Sequence, residues 1–182
     1  MTLRCLSLNG LMHGNGFPTE SLVRGLEHDP DFVGVDAGST DGGPHFLGSG
    51  ENMHSSRRAV KEVYRVLLTH CLAADVPLLV GSAATAGADT HVEWTVDLVA
   101  ELAREEGLDF DLGVVWSEQS TDAIRDAIDA GRVTPLDESP ELDAATVESS
   151  ERVVAMAGPE VFVEALDRGA DVVVAGRCSD VA

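Results

Sequence analysis

The chain is 182 residues long, carries 32 Asp and Glu against 12 Lys and Arg, and has a formal net charge of −20. Its 44% hydrophobic content is that of a folded domain, so the acidity marks the solvent face and not disorder. Such a charge repels phosphate backbones and anionic lipid, which argues against nucleic-acid and membrane partners, and no basic patch reverses it: Arg57-Arg58 is the one adjacent basic pair and Lys61 the one lysine.

In chain order, Leu3 to Leu8 is predicted to be a strand, Thr19 to Glu27 a short helix and Asp31 to Val35 a second strand. A glycine-rich stretch follows, taken as a post-strand loop. The helix predicted from Ser56 to Ala73 has Val60, Val63, Tyr64, Leu67, Leu68 and Cys71 on the i, i+3, i+4, i+7 template. Val76 to Val80 reads as a strand. Thr90 to Glu93 has the T-x-x-E pattern of a capping box and opens a helix through Glu106, with Val96, Val99, Leu102 and Ala103 on one face. Phe110 to Trp116 is the next strand, Thr121 to Ala130 a helix, and the acidic stretch from Pro135 to Asp143 the one plausible boundary. Arg152 to Met156 is expected to be a strand. Gly158-Pro159 then places proline at the first position of a helix to Arg168, and Asp171 to Ala175 is a final buried strand.

Six strands alternating with helical connections predict a single α/β domain over 1–182, an open, mostly parallel, three-layer sheet of Rossmann-like type with right-handed crossovers. Cys5, Cys71 and Cys178 are odd in number and far apart, with no Cys-x-x-Cys, and imply neither a disulfide framework nor a structural zinc site. The N-terminal apolar run is too short for a signal peptide, and none approaches the roughly 18 residues of a membrane span, so a cytoplasmic location is expected. Abundant carboxylate, a single lysine and 4% aromatic residues further suggest a halophilic protein, adapted to salt in which the Debye length falls to about 3 Å.

Ligands of open parallel sheets bind beyond the carboxyl ends of the strands. Five segments rich in Gly, Ser and Thr are expected there. They bring Asn9, Gly10, Gly14 and Gly16 from the first strand; Asp36, Gly38, Ser39, Thr40 and Asp41, running on to Gly48, Ser49 and Gly50, from the second; and Gly81 and Ser82, with His91 beyond, from the third. Glu118, Arg177 and Asp180 complete the edge. Glycine lets backbone amides approach a ligand, and hydroxyls and helix N-termini offer donors to anionic oxygen, although glycine serves plain turns equally well.

Asp36 and Asp41 are the candidates for proton transfer, with Asx-type bonding in the turn as the ordinary alternative. The Arg177 guanidinium suits bidentate capture of a carboxylate or phosphate, or an ion pair with Asp180 or Asp171. Arg57-Arg58 sit at a helix start, unfavourable for the dipole, and read as a solvated pair or an anion site. Cys178 has no identifiable base and reads as an inert thiol.

Two nucleotide templates fit in part. Gly14-x-Gly16-x-x-Thr19, with Asp36 closing the next strand, resembles a dinucleotide fingerprint, but Thr19 replaces the third glycine and Gly14 lies six positions beyond Leu8. Asp36-Ala-Gly-Ser-Thr40 matches the Asp-x-Gly-x-Thr phosphate loop of actin-like and sugar-kinase ATPases, which joins antiparallel strands; here it leads instead to Pro44 and a long helix. Asp36, Asp41, His45, His54, Asp89 and His91 offer oxygen and imidazole donors, but none is paired at zincin spacing, and neither a metal nor any other cofactor is assigned.

The strings Val35-DAGSTDGGPHFLGSG-Glu51, PLLVGSAATAGADTH from Pro77 to His91, Ser117-Glu118-Gln119 and GADVVVAGRCSD from Gly169 to Asp180 resemble the acyclic terpene utilisation (AtuA-like) family over nearly the whole chain. Relatives usually carry proline at Gly42 and an aromatic pair near His45-Phe46. The resemblance implies a part in catabolism of acyclic terpenoids or related branched acids, with a small anionic or CoA-linked substrate and a reaction that is not established. It also implies longer relatives, so the chain is expected to be an N-terminal fragment, completed by a missing C-terminal region or by homo-oligomerisation. A non-catalytic binding or assembly subunit is the alternative.

Overall fold

The computed structural model describes residues 2–8, 16–38, 44–53 and 56–178. Five strands, β1 (Cys5–Ser7), β2 (Phe32–Asp36), β3 (Leu78–Gly81), β4 (Leu112–Val115) and β5 (Val172–Ala175), form one all-parallel sheet in the order β1-β2-β3-β5-β4. The helices are α1 (Thr19–Leu26), α2 (Pro44–Ser49), α3 (Arg57–Ala73), α4 (Asp89–Glu106), α5 (Thr121–Asp129), α6 (Ala144–Ser149) and α7 (Glu160–Asp167). None among the described residues is long and apolar enough to cross a membrane.

The expected open α/β sheet is therefore present with one strand fewer. Arg152 to Met156 is not a sheet strand: it lies beyond the carboxyl ends of β4 and β5, where no strand continues, and Val154 makes only an isolated antiparallel bridge to Glu118. Part of the glycine-rich stretch after β2 is helix and not loop. It is α2, opened by Pro44 and ended by Gly50 at φ +69°. The short helix α6 buries only Val147, too little apolar surface to show a period in the sequence.

Topology places the layers. The steps from β1 to β2, β3 and β4 all run one way across the sheet, so right-handed crossovers put α1, α3 and α4 on one face; the return from β4 to β5 puts α7 on the other. On the first face Val33, Val35, Leu78, Val80, Val172 and Val174 meet Leu22, Leu67, Leu68, Leu98 and Leu102, all buried. Truncating such a leucine to alanine costs about 2–5 kcal/mol. On the second face α7 lies over the β5 and β4 side, with Ala165 close to Gly113. Over β1 and β2 that face is more open: Cys5 and Ser7 are exposed, and Phe32, Gly34 and Asp36 are half-buried.

The acidic α4 is held to α3 by cations. Lys61, whose side chain is 12% exposed, lies 2.5 Å from Glu101 and 2.7 Å from Glu105, and Arg57 lies 2.7 Å from Glu101. Hydrogen bonds from Lys61 and Arg57 hold the Glu101 carboxyl down at about 2. Arg57 thus has a carboxylate partner from its own chain, and its place at a helix start needs no bound anion.

Candidate functional site

The loops leaving β3, β4 and β5 meet at the carboxyl edge, as the topology requires, but they are packed against one another. The Ser82 amide donates to the Gly176 carbonyl (2.9 Å), Ala83 to Ala175 (2.9 Å) and Gly176 to Val115 (2.8 Å). Ser82 through Ala88 is buried throughout. A Cβ added at Gly38 would lie 2.3 Å from the Ser82 carbonyl oxygen, at Gly87 2.2 Å from the Arg177 amide nitrogen, and at Gly176 2.4 Å from Ser117 Oγ. These three glycines bring backbone to backbone. The segment also holds Ser82 and Ala84 in the left-handed region, at φ 50° and 58°, a conformation costing about 1–2 kcal/mol per L-residue and retained only where the surroundings over-determine it.

Beside this packed edge a groove of about 510 Å³ runs along the second face of the sheet. Leu3, Phe32, Leu79, Phe162, Val163 and Leu166 make it apolar, and Asp36, Ser82 and Cys178 stand at its carboxyl end. Gly34 and Gly81 lie on its floor, where a side chain would fill it. Asp36 Oδ1 accepts from the Gly38 amide at 3.3 Å, which is the Asx-type turn bond expected of it, while the residue still lines the groove. Ser82 Oγ accepts from the Cys178 amide at 3.3 Å. Burial, with the Asp36 and Glu160 charges, holds the Cys178 thiol above its usual range despite Arg177 and the Ser82 hydrogen bond, and Sγ lies 3.4 Å from the Gly176 carbonyl. A protonated, buried thiol agrees with the inert reading.

Of the other sequence candidates, Arg177 is 6% exposed and its carbonyl accepts from Ala157 and Ser117. Glu118 sits at the N-terminus of α4, where its Oε1 accepts from the Asp89 amide at 3.1 Å while Asp89 Oδ1 accepts from the Glu118 amide at 3.3 Å. Its carboxylate also lies 3.2 Å from Arg152 Nε. The N-terminus of α4 is therefore already met by the Glu118 carboxylate of the chain itself, with the acidic Asp89 in its first turn. Gly48 and Ser49 belong to α2, and the Gly48 carbonyl accepts from Arg152 at 3.1 Å. Gly16 and Gly50 have positive φ and serve as turns. Asn9, Gly10, Gly14, Ser39, Thr40, Asp41, His54 and Asp180 lie outside the described residues, and with them most of both nucleotide templates. Among the described residues no group of three His, Cys, Asp or Glu side chains could hold a metal ion.

The T-x-x-E capping box does not form. α4 begins two residues earlier than the box requires, with Ala88 at the cap, and the residue reaching back is His91, whose Nδ1 accepts from the Ala88 amide at 3.2 Å. Thr90 Oγ1 is instead buried with no hydrogen-bond partner among the described residues. The His91 proton accordingly sits on Nε2 and is donated to the Glu51 carbonyl at 3.0 Å. Both ring nitrogens are spent on backbone, and the 1% exposed ring ties the segment after α2 to the start of α4. Burial lowers its pKa, aided by Arg152 and opposed by the Glu51 carbonyl and Glu118.

The unfolded chain takes up the histidine proton near 6.5 and the folded chain only below that, so the stability held by neutral His91 is complete above 6.5 and lost as pH falls toward the lowered folded value. Urea unfolding at pH 7.5 and 5.5 should show this loss in the wild type. His91→Gln should be less stable by about 1–3 kcal/mol at pH 7.5 and have a smaller pH difference. An unchanged difference would exclude His91 as its source.

Sequence reasoning passed over the groove itself. One signal was available: Gly34 stands inside a strand, where glycine weakens the element and marks close approach or free space.

The order of the all-parallel sheet and its single chain reversal, with helices on both faces, define an open, doubly wound α/β protein. The chain belongs to the acyclic terpene utilisation family. The family model for acyclic terpene utilisation family protein AtuA matches residues 56–182, which takes in three of the four resembling strings and begins after the one that ends at Glu51. No curated protein and no solved structure matches the chain.

Proposed function

We propose that this chain takes part in the catabolism of acyclic terpenoids or related branched acids by holding the acid, free or as its CoA thioester, with the apolar chain in the groove and the carbonyl end at the strand carboxyl edge. The observation that carries this reading is the groove's polarity: apolar side chains line most of its length, and Asp36, Ser82 and Cys178 stand at one end. An amphiphilic molecule with one polar terminus matches that gradient, because its hydrocarbon leaves water at about 25 cal/mol per Å² while the head stays among polar groups. Asp36 is the proton-transfer candidate in reach of such a head, with Asp41 the second acid of the same segment.

Calorimetric titration with branched acyl-CoAs and with the free acids is the direct test. Saturable binding of at least one of the two, with an affinity that rises with chain length, is expected. Affinity indifferent to chain length, or equal affinity for CoA alone, would place the ligand elsewhere. Asp36→Asn then separates enzyme from binding subunit: turnover lost with binding kept marks catalysis.

A further inference from the structure

We propose that the chain forms a symmetric dimer through the edge strand β4, independently of what the groove binds. Among the described residues β4 pairs only with β5, so its other side is an open edge of the sheet they form. The carbonyls of Asp111 and Val115 accept from Val172 and Gly176 of the β5 segment, and backbone direction alternates along a strand. Leu112 and Val114, with Trp116 next in line, therefore turn their N–H and C=O groups outward. Among the described residues these outward groups have no backbone partner outside the ladder.

The sequence Leu112-Gly-Val-Val-Trp116 carries none of the devices that blunt an edge, having no proline, no lysine and no other charge, and Trp116 is 51% exposed. By contrast the opposite edge, β1, is three residues long and follows directly on Arg4.

The occupant that fits is a second copy, because the edge is self-complementary. With a twofold axis at Val114, an antiparallel partner sets Val114 against Val114, Leu112 against Trp116 and Trp116 against Leu112. Every outward group is then used, as hydrogen-bonded pairs that each exchange both of their bonds. The indole of one copy covers the leucine of the other, an aromatic–aliphatic cross-strand pair. A groove between β4 and α7 borders this edge, and its walls carry Glu164 and Arg168, opposite charges 2.5 Å apart that can exchange partners across a dyad. The chain's charge of −20 opposes association at long range, so the dimer is a high-salt species and the monomer a low-salt one.

Sedimentation velocity on the full chain at 0.1 and 2 M KCl tests this. The wild type should shift toward twice the monomer mass with rising concentration at 2 M salt and stay largely monomeric at 0.1 M. Val114→Pro removes the outward amide and no hydrogen bond of the β4–β5 ladder, and Trp116→Lys places a charge on the edge; each should weaken the dimer at least tenfold at 2 M salt with unchanged far-ultraviolet circular dichroism. Should the proline variant misfold, the lysine variant decides alone. A wild type that remains monomeric at 2 M salt, open-ended growth beyond the dimer, or a dimer indifferent to Trp116→Lys would each overturn the proposal.

Discussion

Gly87→Ala should unfold the protein or nearly so, with a loss of more than about 4 kcal/mol, in the range that marks a broken structural rule and not a lost contact. Two costs add. Residue 87 has φ +70°, where a Cβ meets its own backbone at about 1–2 kcal/mol. The added Cβ would also stand 2.2 Å from the Arg177 amide nitrogen and 2.6 Å from its Cα, which are main chain and cannot rotate away. Relief requires the β3 and β5 loops to separate, and with them the hydrogen bonds from Ser82 and Ala83 to Gly176 and Ala175. A fall in Tm on the order of 10 °C or more, or insoluble expression, is expected for a chain of this size. Gly48→Ala is the control. That glycine lies within α2 with nothing within 4 Å of its added Cβ, so alanine should be neutral or stabilise by up to about 1 kcal/mol. Equal stability of the two variants would refute the view that the carboxyl-edge glycines join loop to loop.

The second large effect is on binding. Gly34→Leu should abolish or weaken acyl-ligand affinity by at least tenfold, about 1.4 kcal/mol, without lowering Tm. Gly34 sits in the middle of β2 with no positive φ, and its added Cβ would meet the Phe32 ring at 3.4 Å and Cys5 Sγ at 3.8 Å, ordinary contacts. The backbone therefore accepts a side chain, and leucine exchanges a poor strand former for one with more apolar surface to bury. That isobutyl group would project into the groove between Phe32 and Leu79, in the volume assigned to the hydrocarbon. Ligand affinity unchanged in a folded Gly34→Leu variant would remove the groove from the proposed function, while leaving the family membership and the β4 edge untouched.

Long elements were legible in the sequence, for a physical reason. α3 has five turns over which apolar residues repeat, and Val60, Val63, Tyr64, Leu67, Leu68 and Cys71 are its buried residues, as the periodicity predicts. Its cap, Ser56, accepts from the Ala59 amide, and α5 is capped by Ser120 in the same way. The two shortest helices were not. α2 and α6 each have six residues, and the supposed strand at Arg152 to Met156 has the composition of a strand but meets its neighbour in a single isolated bridge, at Val154 and Glu118. Strand pairing is a property of two segments, and one segment cannot declare it.

The same distinction runs through the site. The order of residues alone predicts that Gly, Ser and Asp collect at the carboxyl edge, because right-handed parallel crossovers deliver every post-strand loop there. It could not determine what the glycines do. A glycine that admits a ligand and one that admits another loop are the same residue, and only the distances from Gly38, Gly87 and Gly176 to neighbouring backbone and to Ser117 assign them to packing. His91 shows it at one side chain. As a sequence letter it is a candidate ligand, but in the fold Ala88 and Glu51 take both ring nitrogens, and what remains is a buried tether. The groove is the converse. Phe32, Gly34, Leu79 and Phe162 come from three separated elements, and the space between them exists only because the step back from β4 to β5 carries α7 to the second face beside β1 and β2.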